Sequence, residues 1–67
     1  MKSIAKREFE TIVKESDKDI VKINYNLGKR IRELKNYGFN DLATELEDYK
    51  KVVKMLKRYV LPFSYAL

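Results

Sequence analysis

The sequence predicts an all-α protein, and three observations indicate that fold class. Apolar residues recur three and four positions apart over most of the chain, a pattern that forms one coherent face only on a helix. The clearest interruption lies at residues 36–41, where Gly38 suits the left-handed position that ends a helix. With 67 residues, the chain is expected to form one small domain, residues 1–67.

The first predicted helix spans residues 3–36. Ser3 can cap its amino end, because the hydroxyl can accept an otherwise unpaired backbone amide. An apolar stripe then continues without a change of phase, which favours one long helix. The stripe consists of Ala5, Phe9, Ile12, Ser16, Ile20, Ile23, Leu27, Ile31 and Leu34. Ser16 and Asp19 are also spaced like a capping box, so a break near Ser16, giving a three-helix bundle, is the alternative.

The second predicted helix spans residues 41–61 and follows a turn at residues 37–41. Pro62 should end it, since proline has no amide hydrogen to donate and its ring clashes with the preceding turn. The apolar positions of this helix are Leu42, Leu46, Tyr49, Val53, Leu56 and Val60. So short a connection predicts an antiparallel helical hairpin, followed by an apolar tail at residues 62–67.

The hairpin leaves apolar surface uncovered, which predicts self-association. About fourteen residues of the long first helix would extend beyond its partner, and the second helix turns apolar on another side near its carboxyl end. The chain contains neither Cys nor His, so no disulfide or zinc site can stabilise so small a domain. We therefore expect a homodimer, arranged as a four-helix bundle. The predicted interface residues are Phe9, Ile12, Val13, Val52, Met55, Tyr59, Phe63 and Tyr65.

A second stripe on the first helix is basic. It runs through Arg7, Thr11, Lys14, Lys18, Lys22, Tyr25, Lys29, Arg32 and Asn36, and all six acidic residues of positions 1–36 lie outside it. On one continuous helix this stripe would extend about 38 Å. The net charge of +5 favours an anionic partner, although a solvated face explains the same pattern. The candidate nucleic-acid-binding residues are Arg7, Lys14, Lys18, Lys22, Tyr25, Lys29, Arg32, Lys50 and Lys54.

Local motifs indicate no known activity. Residues 41–46 resemble the opening of a helix-turn-helix motif, but residues 46–52 contain no turn residue, so a continuous helix explains them. Gly38 and residues 43–47 resemble the small sporulation phosphatase family, whose signature Ser and Asp are replaced here by Ala43 and Glu47. In size and outline the predicted hairpin is similar to plasmid-type RNA-binding hairpins that dimerise into four-helix bundles.

The composition predicts a non-enzymatic protein without a cofactor or metal. No His or Cys can act as a nucleophile, base or ligand, and no glycine-rich phosphate loop is present. Asp41, Glu45 and Asp48 share one helix face, but acids at a helix start are ordinary dipole and capping chemistry. The chain shows no secretory signal and no membrane-spanning run, so we expect a cytoplasmic protein without a membrane partner.

Two functions fit these features. The first is a small regulatory protein whose basic outer face binds DNA or RNA through phosphate contacts. The second is a protein-binding adaptor or inhibitor that acts through the apolar carboxyl-terminal half of the second helix and the tail.

Overall fold

The chain folds into three helices in a computed structural model, which describes the backbone of residues 3–66 and the side chains of residues 3–59. These helices are α1 (Ile4–Glu15), α2 (Ile20–Asn36) and α3 (Asn40–Ala66). Within residues 3–66 no strand occurs, so the predicted all-α class is confirmed. The prediction of one continuous first helix is wrong, because the chain breaks between Glu15 and Ile20.

The break lies where the sequence offered its alternative, near Ser16. Ser16 ends α1 as its C-cap, and Asp17 and Lys18 then adopt the left-handed conformation, with φ of 54° and 58°. Asp19 starts α2, because its carboxylate accepts the amides of Val21 and Lys22 at 2.9 and 3.3 Å. The hydroxyl of Ser16 does not cap α2. It is buried and accepts a hydrogen bond from the Asn26 side chain, at 2.8 Å.

The second connection is shorter and depends on glycine. Gly38 has a φ of 86°, a conformation that residues with a Cβ rarely adopt. The amide of Phe39 then donates to the carbonyl of Leu34 at 2.8 Å, which satisfies one of the free carbonyls at the end of α2. The chain turns sharply here, and α3 begins at Asn40.

The break changes how α1 is covered. Glu8 of α1 pairs with Arg30 of α2 at 2.8 Å, and Ser16 contacts Asn26, so α1 turns back along α2. Phe9 also stacks on Tyr49 of α3, with ring centroids 4.6 Å apart. The expected overhang is therefore absent, and Ile12 is buried within its own chain. The overhang was one of the two arguments for a homodimer.

The core lies where the three helices meet. Its buried apolar residues are Ala5, Ile12, Ile23, Leu27, Ile31, Leu34, Ala43, Leu46 and Val53. Leu56, which the helical pattern assigned to the core, is 48% exposed. The reason is that α1 extends only from Phe9 to Glu15 beyond the Tyr49 stack, so little of it remains to cover the rest of α3.

Contacts between α2 and α3 run in opposite directions along the two helices. Near the turn, Lys35 forms an ion pair with Glu47. Further from the turn, Gly28 lies against the end of the Lys50 side chain. Arg30 of α2 pairs with Glu8 of α1 and with Glu33 of its own helix.

The backbone of α3 remains helical through Pro62 to Ala66, so the expected helix end at residue 61 is not observed. The φ angle that proline imposes is compatible with a helix, and its missing amide removes one hydrogen bond. The predicted interface residues Phe63 and Tyr65 have side chains outside the described part. No helix in the described residues has the length and apolar character needed to cross a membrane.

Candidate nucleic-acid interface

A shallow groove between α2 and α3 concentrates positive charge. Five cations and one acid line it, beside Gly28 and Ile31. The charged residues are Arg32, Lys35, Glu47, Lys50, Lys51 and Lys54. Gly28 contributes room, because a Cβ added there would lie 2.9 Å from Nζ of Lys50. The two helices therefore hold their cations around one concave surface.

The exposed side of α2 extends this surface. Lys22, Tyr25, Lys29 and Arg32 recur at spacings of three and four, so they share one face of the helix. All four are exposed, and the Tyr25 ring is 66% accessible. Arg32 belongs both to this set of four residues on α2 and to the groove. We call the combined set the α2/α3 basic surface. It consists of Lys22, Tyr25, Lys29, Arg32, Lys35, Lys50, Lys51 and Lys54.

Acidic neighbours neutralise part of this surface. Lys35 pairs with Glu47, Lys22 lies 3.9 Å from Asp17, and Lys51 lies 3.8 Å from Asp48. Exposed pairs of this kind are weak and screened by salt. Among the described residues, the remaining four cations of the surface form no ion pair. These are Lys29, Arg32, Lys50 and Lys54.

The pKa of Glu47 reflects the positive charge around the groove. Its pKa is lowered from the ordinary value of 4.5, first by its hydrogen bond and charge interaction with Lys35, and further by Lys51 and Lys50. An anion placed near these cations is stabilised for the same reason that the ionised carboxylate is.

The break separates the predicted basic stripe into two parts. Arg7 and Lys14 lie on the exposed side of α1, and Lys18 lies in the connection to α2. α1 packs on the side of α2 that carries Arg30, which is about 200° around the helix from Arg32. The α1 cations therefore face away from the groove, and no straight basic row of about 38 Å exists.

Lys35 and Lys51 line the groove but are not among the residues predicted from the sequence. Lys35 follows Arg32 by three positions, which places it on the same side of α2, and this spacing could have identified it. Lys51 follows Lys50 in the sequence and lines the same groove as Lys50 and Lys54. Its position in the sequence alone does not show which side of α3 packs against α2.

A second exposed feature lies on α3. Four apolar side chains between 48% and 68% exposed follow one another at spacings of three, one and three residues. We call this set the α3 apolar stripe, and its members are Val52, Met55, Leu56 and Tyr59. It includes three of the predicted interface residues. Two others, Phe9 and Val13, are partly buried against the core.

Acidic residues do not assemble into a metal site in the described part of the chain. No group of three or more Asp or Glu side chains there could hold a metal ion, and this includes the start of α3.

Comparison with known proteins gives no assignment. The chain matches no protein-family model, and neither a curated protein nor a solved structure is significantly similar to it.

Proposed function

We propose that this chain is a small non-enzymatic regulatory protein that binds nucleic acid on the α2/α3 basic surface. The observation that carries the proposal is the groove itself, where five cations surround a single acid. Contacts to phosphates supply most of the affinity in such interfaces, and Lys and Arg provide them.

Each part of the surface has a chemical role in this proposal. Lys29, Lys50 and Lys54 neutralise phosphates as point charges, and Arg32 can bind one phosphate through two N–H groups. Tyr25 lies between Lys22 and Lys29 on the exposed face of α2, where its ring can stack on an unpaired base. Nothing in this arrangement reads a base sequence, so binding is expected to depend on backbone charge.

A salt titration tests the proposal. Fluorescence anisotropy with labelled single-stranded and duplex oligonucleotides should show binding at low salt. On a plot of the logarithm of the binding constant against the logarithm of the salt concentration, the slope should be about −0.9 per neutralised phosphate on duplex DNA and about −0.7 on single strands. The variant R32Q/K54Q should bind more weakly, and its slope should be shallower by the amount that about two phosphate contacts contribute.

The matched control is R7Q/K14Q. It removes the same two charges from the opposite side of the molecule, so its net charge is also +5 − 2 = +3. This control should bind nearly as well as the unmodified chain. Absence of binding at low salt would overturn the proposal, as would equal losses in the two variants, since equal losses would indicate an effect of net charge alone.

A second candidate function is favoured by the α3 apolar stripe. Large apolar side chains that remain exposed along one helix face are typical of protein-binding surfaces. An adaptor or inhibitor would use this stripe to capture a partner, with the lysines keeping the free chain in solution. V52S/M55S should abolish partner binding and leave nucleic-acid affinity unchanged.

A further inference from the structure

The α3 apolar stripe faces away from α2. Lys50 and Lys54 mark the side of α3 that borders the groove with α2. Met55 and Tyr59 lie about 140° and 180° around the helix from Lys50. The stripe therefore lies on a different side of α3 from Lys50 and Lys54, and Lys51, which lines the groove and lies 3.8 Å from Asp48, borders both surfaces.

The stripe borders α1. Tyr49 stacks on Phe9, and Leu56 follows Tyr49 by two turns on the same side of α3. Phe9 and Val13 line a shallow apolar depression on α1. α1 and α3 therefore present neighbouring apolar surfaces, and one additional helix laid along α3 could cover both. Recognition of this kind uses contacts at spacings of three and four residues.

The charges beside the stripe restrict the partner. Residues 49–59 contain five cations and no acid. They are Lys50, Lys51, Lys54, Lys57 and Arg58. Of these, Lys51 and Arg58 are exposed and lie closest to the stripe, about 80–100° around the helix from Lys50. A helix that covers the apolar residues of α3 therefore meets positive charge along the edge next to the groove. The α1 depression is bordered by two acids and two cations, which are Glu10, Asp17, Lys14 and Lys18.

A second copy of this chain fits the stripe poorly. An antiparallel register that sets Val52 opposite Tyr59 gathers the cations of both copies around one interface. A shifted register that supplies acids sets Asp48 and Glu45 against apolar side chains, and burying those carboxylates is costly. Both registers lose part of the free energy that apolar burial provides.

We propose that the α3 apolar stripe binds an amphipathic helix of another protein whose apolar face is flanked by acidic residues. This inference rests on the second proposed function and specifies the chemistry of its partner. The apolar contacts supply affinity, and acids opposite Lys51 and Arg58 supply specificity and faster association.

Two synthetic helical peptides test this inference with the full chain. Each has about 18 residues, or five turns, with leucines spaced three and four apart. One carries Glu beside the leucines, and the other carries Lys at the same positions. In titrations followed by amide NMR at physiological salt, the Glu peptide should shift the signals of the stripe. The Lys peptide should bind at least about tenfold more weakly.

Variants locate the contact. V52S/M55S should weaken binding of the Glu peptide by about tenfold or more, since two apolar anchors are lost. The control I4S/Y37S changes two apolar residues that are 68% and 74% exposed and lie away from the stripe, and it should bind normally. Circular dichroism of both variants should show unchanged helix content, because all four positions are exposed.

The outcomes separate the two levels of the proposal. Equal binding of both peptides would overturn the acidic partner while leaving the stripe as a protein-binding surface. Binding of neither peptide would overturn both the acidic partner and the protein-binding role of the stripe.

Two further measurements test other occupants of the stripe. A dimer in sedimentation equilibrium that V52S/M55S abolishes would assign the stripe to a second copy, and binding to phosphatidylserine vesicles through the stripe would assign it to a lipid surface. Either result would overturn the inference.

Discussion

The two connections of this molecule reverse the chain by different means. Between α2 and α3 the left-handed position is occupied by Gly38, which has no Cβ and therefore adopts a φ of 86° without steric cost. Between α1 and α2 two consecutive left-handed positions are occupied by Asp17 and Lys18. Lys18 pays about 1–2 kcal/mol for that conformation, and Asp17 pays less, because aspartate tolerates the left-handed region better than other residues with a Cβ. The turn at Gly38 follows from local preference, whereas the break at residues 16–19 depends on the packing of α1 as well as on the cap at Asp19.

The comparison shows which turns a sequence can reveal. A glycine between two helical patterns marks a turn because its conformational preference is local. The connection at residues 16–19 has no glycine or proline, and the apolar phase passes through it unchanged. The spacing of Ser16 and Asp19 indicated this break only as an alternative, and Asp19 does cap α2. The packing of α1 against α2 and α3, which no local pattern encodes, decides between the alternatives.

The largest expected effect is at Gly38. Gly38→Ala should destabilise the protein by about 1–2 kcal/mol, because alanine pays the left-handed cost while no neighbouring atom lies within 4 Å of the added Cβ. Urea unfolding measures the change. Gly28→Ala is the control, since in the interior of α2 alanine gains helix propensity and meets only the flexible ends of Lys50 and Arg32. Equal losses at both glycines would contradict the conformational explanation.

The next effect is at the start of α2. Asp19→Ala should cost about 1 kcal/mol, because the amides of Val21 and Lys22 lose their acceptor. Thermal unfolding should show a lower midpoint. Asp48→Ala removes an equally charged, similarly exposed residue that lies inside α3 and caps no helix, so it should change the midpoint much less. A similar decrease for both variants would mean that charge, and not capping, is responsible.

A smaller effect of opposite sign is expected at Lys18. Lys18→Gly should stabilise the protein by roughly 0.5–1 kcal/mol, because glycine adopts the left-handed conformation without the Cβ penalty. The same substitution at Lys14, inside α1, should destabilise by a similar amount. Chemical denaturation of the two variants compares them directly. A loss of stability in Lys18→Gly would show that the connection is not strained.

The smallest effect concerns the ion pair of Lys35 with Glu47, which spans the glycine turn. The folded-state pKa of Glu47 is lowered, so its contribution is present above the unfolded pKa and is lost as the pH falls through the folded pKa. Between about pH 5 and about pH 3, Glu47→Gln should therefore lose less stability than the unmodified chain. Lys35→Gln should likewise make the unfolding free energy depend less on pH over the same range. Parallel pH profiles for all three proteins would exclude this coupling.

Periodicity predicted the helical class and most of the core, because core positions on a helix repeat with the helix itself. Ile23, Leu27, Ile31 and Leu34 are buried where their spacing placed them. Ser16 is also buried where the stripe placed it, but its hydrogen-bond partner could not be predicted, because Asn26 belongs to another helix. The position of Ser16 within an apolar stripe nevertheless indicates that a hydrogen-bond partner lies nearby, because a buried hydroxyl requires one.

The candidate site was only partly predictable. Arg32, Lys50 and Lys54 were identified by charge, but their convergence in one groove requires the packing of α2 on α3. Arg7 and Lys14 share a helical phase with Arg32, yet the reversal at residues 16–19 turns them to the other side of the molecule. Phase along one helix predicts a common face only while the helix continues.

The two left-handed residues, Asp17 and Lys18, also determine how firmly α1 is held. Straightening the connection would relieve about 1–3 kcal/mol of backbone cost, most of it at Lys18. It would also remove Ile12 from the core, at about 1.5–3 kcal/mol, and separate the partly buried Phe9 from Tyr49, at a smaller cost. The two contributions are of similar size, and exchange of the Ile12 amide with solvent deuterium measures the difference between them. The amino-terminal helix is thus held in place by a small surplus of free energy.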